Sequence, residues 1–188
     1  MTEHAKKKPM YYVIQVKTGK EQKAIEDIMK NKPDDASFDV FAPYRKAIRK
    51  FHGIEKEVIE RCFPGYIFVE TDDVQRLFFE LYWIPGFTRL LGREADTYNF
   101  VPLDKDESRM IDILYSKNND RITEISNIEV KEGEIVRVLD GPLSLVGQEA
   151  KIVKVNLHKR EVKIEYMMCG RLVQSSIGIN IITNIINK

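Results

Sequence analysis

The stretch CFPGYIFVE, residues 62–70, joins a turn to a buried strand. Residues 66–70 are uniformly apolar up to the final glutamate, which is typical of an internal strand. The Pro-Gly pair in front of them predicts a turn at the surface, where backbone groups reach water. Large rings at Phe63 and Tyr66 are unusual beside such a turn. Two interpretations stay open: the rings pack the turn onto the core, or they form a contact surface.

Around this stretch the first part of the chain predicts alternating strands and helices. Strands are expected at residues 11–16, 66–70 and 87–91, a hairpin at 38–51 and 54–62, and helices at 20–32, 74–84 and 103–117. The helices are inferred from apolar side chains at helical spacing, and the strands from β-branched and aromatic runs between turn residues. This order predicts an α+β sandwich, an antiparallel sheet carrying helices, over residues 10–117.

The pattern changes in the last third of the chain. Residues 118–128 are polar and lack a clear period, and we interpret them as a linker. Residues 129–188 alternate between apolar and polar positions, with strands expected near 135–138, 148–155, 161–166, 171–175 and 181. Five short strands in so few residues predict a small β-barrel, which would close its sheet edges.

Composition narrows the class of function. The net charge of +1 gives no general attraction to nucleic acid or membrane, so any basic surface must be local. The two cysteines are far apart and have no metal-ligand spacing, and the three histidines suggest no catalytic arrangement. We therefore expect no enzyme activity, no metal and no cofactor. Neither a signal peptide nor a membrane-spanning run is visible, and we expect a cytoplasmic protein that does not bind membranes.

The expected hairpin concentrates charge. Its outgoing arm carries the cations Arg45, Lys46, Arg49 and Lys50, and its returning arm carries Glu55, Glu57 and Glu60. Opposite charges across a hairpin explain this pattern structurally. A basic tip that contacts a phosphate backbone explains it equally well, and both interpretations stay open.

A second basic set lies in the expected barrel. Its members are Lys151, Lys154, His158, Lys159, Arg160, Lys163 and Arg171. Three of them are consecutive at an expected turn, where they are free to reach a partner. The set favours binding of a structured RNA hairpin through its shape and phosphates. A solvated, charge-decorated surface is the alternative.

Three motifs carry a resemblance to a known family. They are YYVIQVKTGKE near the N-terminus, FPGYIFVE in the middle, and GEIVRVLDGPLSLVGQEAKI in the expected barrel. In this combination the chain resembles the NusG family of transcription elongation and antitermination factors. The resemblance implies an NGN domain at residues 10–117, a linker at 118–128 and a KOW β-barrel at 129–188. It also suggests a specialised paralogue, similar to LoaP, that acts on selected operons.

The resemblance implies partners as well as a fold. In the family, aromatic residues of the NGN domain receive the clamp helices of the large RNA polymerase subunit. The matching positions here are Tyr11, Phe63, Pro64 and Tyr66. The hairpin cations would lie near non-template DNA, and the KOW domain would bind RNA, a ribosomal protein or the termination factor Rho. A monomer is expected. The rival hypothesis is a ribosome-associated RNA-binding protein that uses its KOW barrel.

Overall fold

The structure is a computed structural model that describes residues 9–82, 89–90, 100–116, 120–132, 134–147 and 150–182. In chain order its elements are β1 (Met10–Gln15), α1 (Glu21–Lys30), β2 (Phe38–Phe41), β3 (Tyr44–Phe51), β4 (Ile54–Arg61), β5 (Tyr66–Thr71), α2 (Val74–Tyr82), β6 (Arg89–Leu90), α3 (Lys105–Leu114), β7 (Ile122–Thr123), β8 (Ser126–Lys131), β9 (Glu134–Asp140), β10 (Lys151–Asn156), β11 (Glu161–Met168) and β12 (Arg171–Ile181). Parts of the expected helix at 74–84 and of the expected strands at 87–91 and 148–155 lie outside the described residues. None of the described helices is long and apolar enough to cross a membrane.

The elements divide into two units, each made of two chain segments. The first contains Met1–Ala42 and Phe63–Ser108, and the second contains Pro43–Cys62 and Arg109–Lys188. The mixed α+β class expected from the sequence is confirmed. The hairpin β3–β4, which the sequence alone places in the N-terminal domain, is grouped with the C-terminal strands instead.

The first unit is built on a sheet with strand order β2-β5-β1-β6. β5 pairs antiparallel with both β1 and β2, as expected for a sandwich of this order. Four consecutive residues of β1, from Tyr11 to Ile14, are buried, so both faces of this strand are covered. Such a strand reads as a continuous apolar run in the sequence, and this is why the prediction located it correctly.

The second unit contains a five-stranded sheet in the order β10-β11-β12-β8-β9. The first half of β8 lies within the expected linker, and its Ile128 and Ser126 are fully buried. The two expected strands at 171–175 and near 181 are one strand, β12, because its pairing with β11 continues through Gly178. Within the described residues β9 and β10 are the outer strands of this half-barrel sheet, which is consistent with the small β-barrel expected from the sequence.

The hairpin β3–β4 lies against β12 in the same unit. A Cβ atom on Gly178 of β12 would stand 2.5 Å from the Lys46 carbonyl oxygen and 3.4 Å from the Ala47 Cα atom. Real Cβ atoms do not approach a heavy atom as closely as 2.5 Å, so the absence of a side chain at Gly178 permits this contact between backbones. β7 then extends the hairpin into a three-stranded sheet by pairing parallel with β3 at Tyr44 and Arg45.

A buried polar cluster lies in the core of the second unit. The Tyr115 and Ser175 hydroxyl groups share a hydrogen bond of 3.3 Å. Burial raises the pKa of the neighbouring Cys62 thiol to about 11, although hydrogen bonds from Tyr115 and Ser175 act in the opposite direction. Burial raises the pKa of Tyr166 as well. The thiol of Cys62 is therefore neutral and poorly nucleophilic at physiological pH.

Candidate functional site

The Pro-Gly turn before β5 is held by backbone contacts in the first unit. The Val16 amide donates to the Gly65 carbonyl at 2.9 Å, and the Tyr66 amide donates to the Phe63 carbonyl at 3.1 Å. Gly65 has a φ of +87°, and a Cβ atom there would lie 2.9 Å from the Thr18 hydroxyl oxygen. The positive φ therefore favours glycine at this position, and a side chain there would in addition have to displace the Thr18 hydroxyl group.

A buried carboxylate supports the same turn. Glu21, the first residue of α1, is fully buried, and its Oε1 atom accepts a hydrogen bond of 2.6 Å from the Gly65 amide. The same oxygen accepts a hydrogen bond of 3.0 Å from the Gly19 amide. Glu21 does not stand out in the sequence, since an acid in the first turn of a helix is ordinarily explained by the helix dipole alone.

Aromatic rings run from this turn across one face of the sheet. The Phe63 and Phe68 ring centroids are 5.6 Å apart, and Phe41 stacks on Phe68 at 5.7 Å. Tyr11 meets Phe41 edge to face at 6.2 Å. Because Gln15 pairs with Tyr66 and Val13 with Phe68, the odd-numbered residues of β1, including Tyr11, share a face with Tyr66 and Phe68.

The four positions matched to polymerase contacts differ in accessibility. Tyr11 is 9% exposed and belongs to the core, Phe63 and Tyr66 are half-buried, and Pro64 is exposed. The accessible part of this set is therefore the turn itself, with Phe68 beneath it as a rigid support.

The two arginines of the hairpin are engaged in shared ion pairs within the second unit. Arg45 contacts Glu60 at 2.8 Å, and Arg49 contacts the same carboxylate at 2.7 Å. Both guanidinium groups also lie 3.3 Å from Glu161 of β11. Arg45 and Glu161 are largely buried, with 11% and 9% of their side chains exposed. The expected cross-strand pairing is present, and it extends to a carboxylate more than a hundred residues away.

The other two hairpin cations have different surroundings. Lys46 lies 2.9 Å from Glu124 and 3.7 Å from Glu57, and the hydrogen bond with Glu124 raises the pKa of Lys46. Lys50 has no acidic side chain within 4.0 Å among the described residues. Its cross-strand neighbour Glu55 contacts Arg160 instead, at 3.3 Å.

The second basic set is spread over β10, β11, β12 and the turn between β10 and β11. Lys151 lies opposite Glu165, and Lys154 lies opposite Lys163, while Arg171 is exposed at the start of β12. His158 and Lys159 are exposed on the turn. Three members of each basic set surround one cleft: Arg45, Arg49 and Lys50 from β3, with His158, Lys159 and Lys163.

Comparisons with known proteins find similarity over most of the chain. The family model described as "Transcription termination factor nusG" matches residues 9–112. The chain is 27% identical over 164 residues to the transcription termination/antitermination protein NusG of Streptococcus pyogenes serotype M3, covering 85% of this chain and 87% of that protein. It is 29% identical over 167 residues to the NusG protein of Helicobacter pylori strain J99, covering 86% and 90%.

A solved structure supports the same fold. The structure described as "Domain interaction in Thermotoga maritima NusG" superimposes with a TM-score of 0.51 at 20% identity, covering 91% of this chain and 94% of that chain. The family model alone spans more than half of the sequence, including β1 and the turn before β5. The chain therefore belongs to the NusG family.

Proposed function

We propose that this protein is a transcription termination/antitermination factor that binds the clamp helices of the large RNA polymerase subunit through residues 63–66. It would promote processive antitermination on selected operons in the cytoplasm, acting as a monomer. The observation that carries the proposal is the pair of half-buried rings, Phe63 and Tyr66, on a turn fixed by hydrogen bonds from Val16 and to Glu21.

The physical argument for a contact surface is preorganisation. Rings that are already ordered lose little conformational entropy on binding, and aromatic residues are enriched among interface residues that contribute most of the affinity. Phe63 rests on Phe68, so its ring already has a fixed support in the free protein. A helix with an apolar face docks against surfaces of this kind in a common recognition mode.

The proposed mechanism makes and breaks no covalent bond. Clamp opening accompanies pausing and termination in this family, so a factor that binds the closed clamp more tightly than the open clamp shifts the population toward elongation. The size of the effect is limited by the difference between those two affinities. A specialised, LoaP-like role on chosen operons stays a prediction.

The second unit would supply a second contact. Lys50, Lys159 and Lys163 are exposed and available for the phosphates of RNA or non-template DNA. Arg45 and Arg49 already hold carboxylates, so they are less available for phosphate than the lysines. A ribosomal protein or Rho is the alternative partner for this unit.

The polymerase contact is tested by Phe63→Ala combined with Tyr66→Ala. Truncation of a residue central to an interface costs about 2 kcal/mol, so the double variant should bind purified polymerase roughly 10²- to 10³-fold more weakly. Phe79→Ala is the matched control, because this ring is exposed on α2 of the same unit. Unchanged affinity of a folded double variant would place the polymerase contact elsewhere.

The function itself is tested by transcription across a terminator with purified polymerase. Addition of the wild-type protein should increase read-through, and the double variant should not. Affinity capture from cell extract distinguishes the rival hypothesis. Recovery of ribosomal particles without polymerase would support a ribosome-associated RNA-binding protein.

A further inference from the structure

The cleft between β3 and the β10–β12 surface of the second unit has a volume of about 630 Å³. We propose that this cleft binds the phosphodiester backbone of a single-stranded nucleic acid, and that the three members of each basic set that line it form one site rather than two. The inference deepens the nucleic-acid contact of the proposed function and does not depend on the polymerase contact.

The first argument is the balance of charge around the cleft. Glu161 is the acidic residue that lines the cleft. Arg45 and Arg49 both contact its carboxylate, and both also contact the carboxylate of Glu60. Two arginines are thus balanced by two glutamates. Lys50, Lys159 and Lys163 have no acidic side chain within 4.0 Å in the described part of the chain. Three positive charges remain for a ligand.

The second argument is an unfavourable pair next to the cleft. Lys154 and Lys163 lie directly opposite each other on β10 and β11, and both side chains are exposed. Like charges at such positions destabilise a sheet. A polyanion that lies along Lys154 and Lys163 would remove this repulsion more completely than an isolated phosphate bound at one lysine. On the other side of Lys163, its partner on β12 is Ser176, another residue of the cleft wall.

The third argument is an excess of hydrogen-bond donors at the base of the cleft. The buried Nη1 atom of Arg45 has no hydrogen-bond partner among the described residues, although Nη2 of the same side chain contacts both carboxylates. Arginine presents its donors in a rigid fork that matches the oxygens of phosphate. A small rotation of the side chain would offer this donor to an anion without removing the contacts to Glu60.

The size of the cleft favours a single strand. A volume of this order encloses a ligand of small-molecule size, such as one or two nucleotides, and is too small to hold a double helix. Exposed lysines at the rim and ordered arginines beneath them are the arrangement expected for contacts to a phosphate backbone, which fix position without reading sequence.

The test is fluorescence anisotropy with a labelled 12-nucleotide RNA, with DNA of the same sequence, and with the duplex forms. The test variant is Lys159→Gln with Lys163→Gln, at two exposed positions. The control is Lys151→Gln with Arg171→Gln. Arg171 is five residues from Ser176 along β12, which corresponds to about 17 Å of strand. Both variants remove the same charge from the same sheet.

The expected result follows from counterion release. Each phosphate contact to a single strand contributes about −0.7 to the slope of log K against log salt, so three lysines predict a slope of about −2. Loss of two contacts should lower that slope by about 1.4 in magnitude and weaken binding about 25-fold at 0.1 M salt. The control should change neither quantity by a comparable amount.

Each outcome of this experiment either supports the cleft as the binding site or overturns it. Tighter binding of RNA would identify the transcript as the ligand, tighter binding of DNA would identify the displaced DNA strand, and equal binding would indicate phosphate contacts alone. All three support the cleft. Equal losses in test and control variants, no loss in either, or preferential binding of duplex would overturn it. Polymerase affinity of the lysine variant should be unchanged, which keeps this test separate from that of Phe63 and Tyr66.

Discussion

The substitution Gly178→Ala tests whether the hairpin is seated on β12 by direct contact between backbones. The new methyl group would lie 2.5 Å from the Lys46 carbonyl oxygen and 3.3 Å from the Ile125 Cγ1 atom. The carbonyl group cannot swing away freely, because Lys46 lies within β3 and pairs with Ile59 of β4. We therefore expect the hairpin to move away from β12 by several tenths of an ångström.

The magnitude follows from two opposing effects. Overpacking a well-packed contact costs about 1–3 kcal/mol, and the rigid backbone oxygen argues for the upper half of this range. Replacement of a strand glycine by alanine gains about 0.5–1 kcal/mol because the unfolded chain loses freedom. The net loss is then about 2 kcal/mol, which in a chain of this length lowers the melting temperature by about 4–8 °C.

The assay compares thermal unfolding of Gly178→Ala with that of Ser176→Ala. Ser176 lies two residues away on the same face of β12, and its substitution removes an atom instead of adding one. The Gly178 variant should also weaken binding of single-stranded nucleic acid, because displacement of β3 separates Lys50 from Lys159 and Lys163. An unchanged melting temperature and unchanged nucleic-acid affinity would refute the argument from close approach.

Two further predictions concern buried groups. Glu21→Ala leaves the Gly65 and Gly19 amides without their acceptor, so it should destabilise the first unit by about 2–4 kcal/mol and speed hydrogen exchange at Gly65. The control Glu21→Gln keeps the oxygen acceptor and should have a smaller effect. Equal effects of the two substitutions would contradict this role of Glu21. The Cys62 thiol, whose pKa is raised from 9.0 to about 11, should react with iodoacetamide about 100-fold more slowly at pH 8 in the folded than in the unfolded protein. Because the folded-state pKa is the higher one, the contribution of Cys62 to stability is complete below about pH 9 and is lost as the pH rises toward 11, which unfolding measured across this range would detect.

The sequence predicted the elements whose signal is local. β1 and β5 are continuous apolar runs, and α1 carries its apolar residues at helical spacing, so each is visible in a short window. β8 was missed because its segment alternates weakly and begins with a buried serine, Ser126. The burial of this serine is tolerated because its hydroxyl oxygen accepts a hydrogen bond from the Leu143 amide. No local sequence pattern reveals that contact.

The proposed site residues divide in the same way. Phe63 and Tyr66 were singled out because rings beside a Pro-Gly turn conflict with ordinary turn chemistry. Glu21 was missed because its role depends on Gly65, which is distant in sequence but adjacent in space. The hairpin cations were noted as a group, but the shared contact of Arg45 and Arg49 with Glu161 could not be predicted, because only the fold places that carboxylate beside them.

The arginines and the exposed lysines around the cleft are expected to have different roles in the second unit. Arg45 and Arg49 are held by shared carboxylates in a partly buried position, where removal of either partner would leave a charge without compensation. They are therefore expected to hold the hairpin against β11 and β12. Lys50, Lys159 and Lys163 have no such partners among the residues that the structure describes, so their substitution should change nucleic-acid affinity with little change in folding. If arginine variants lose stability while lysine variants lose only affinity, one surface performs both tasks with separate residues.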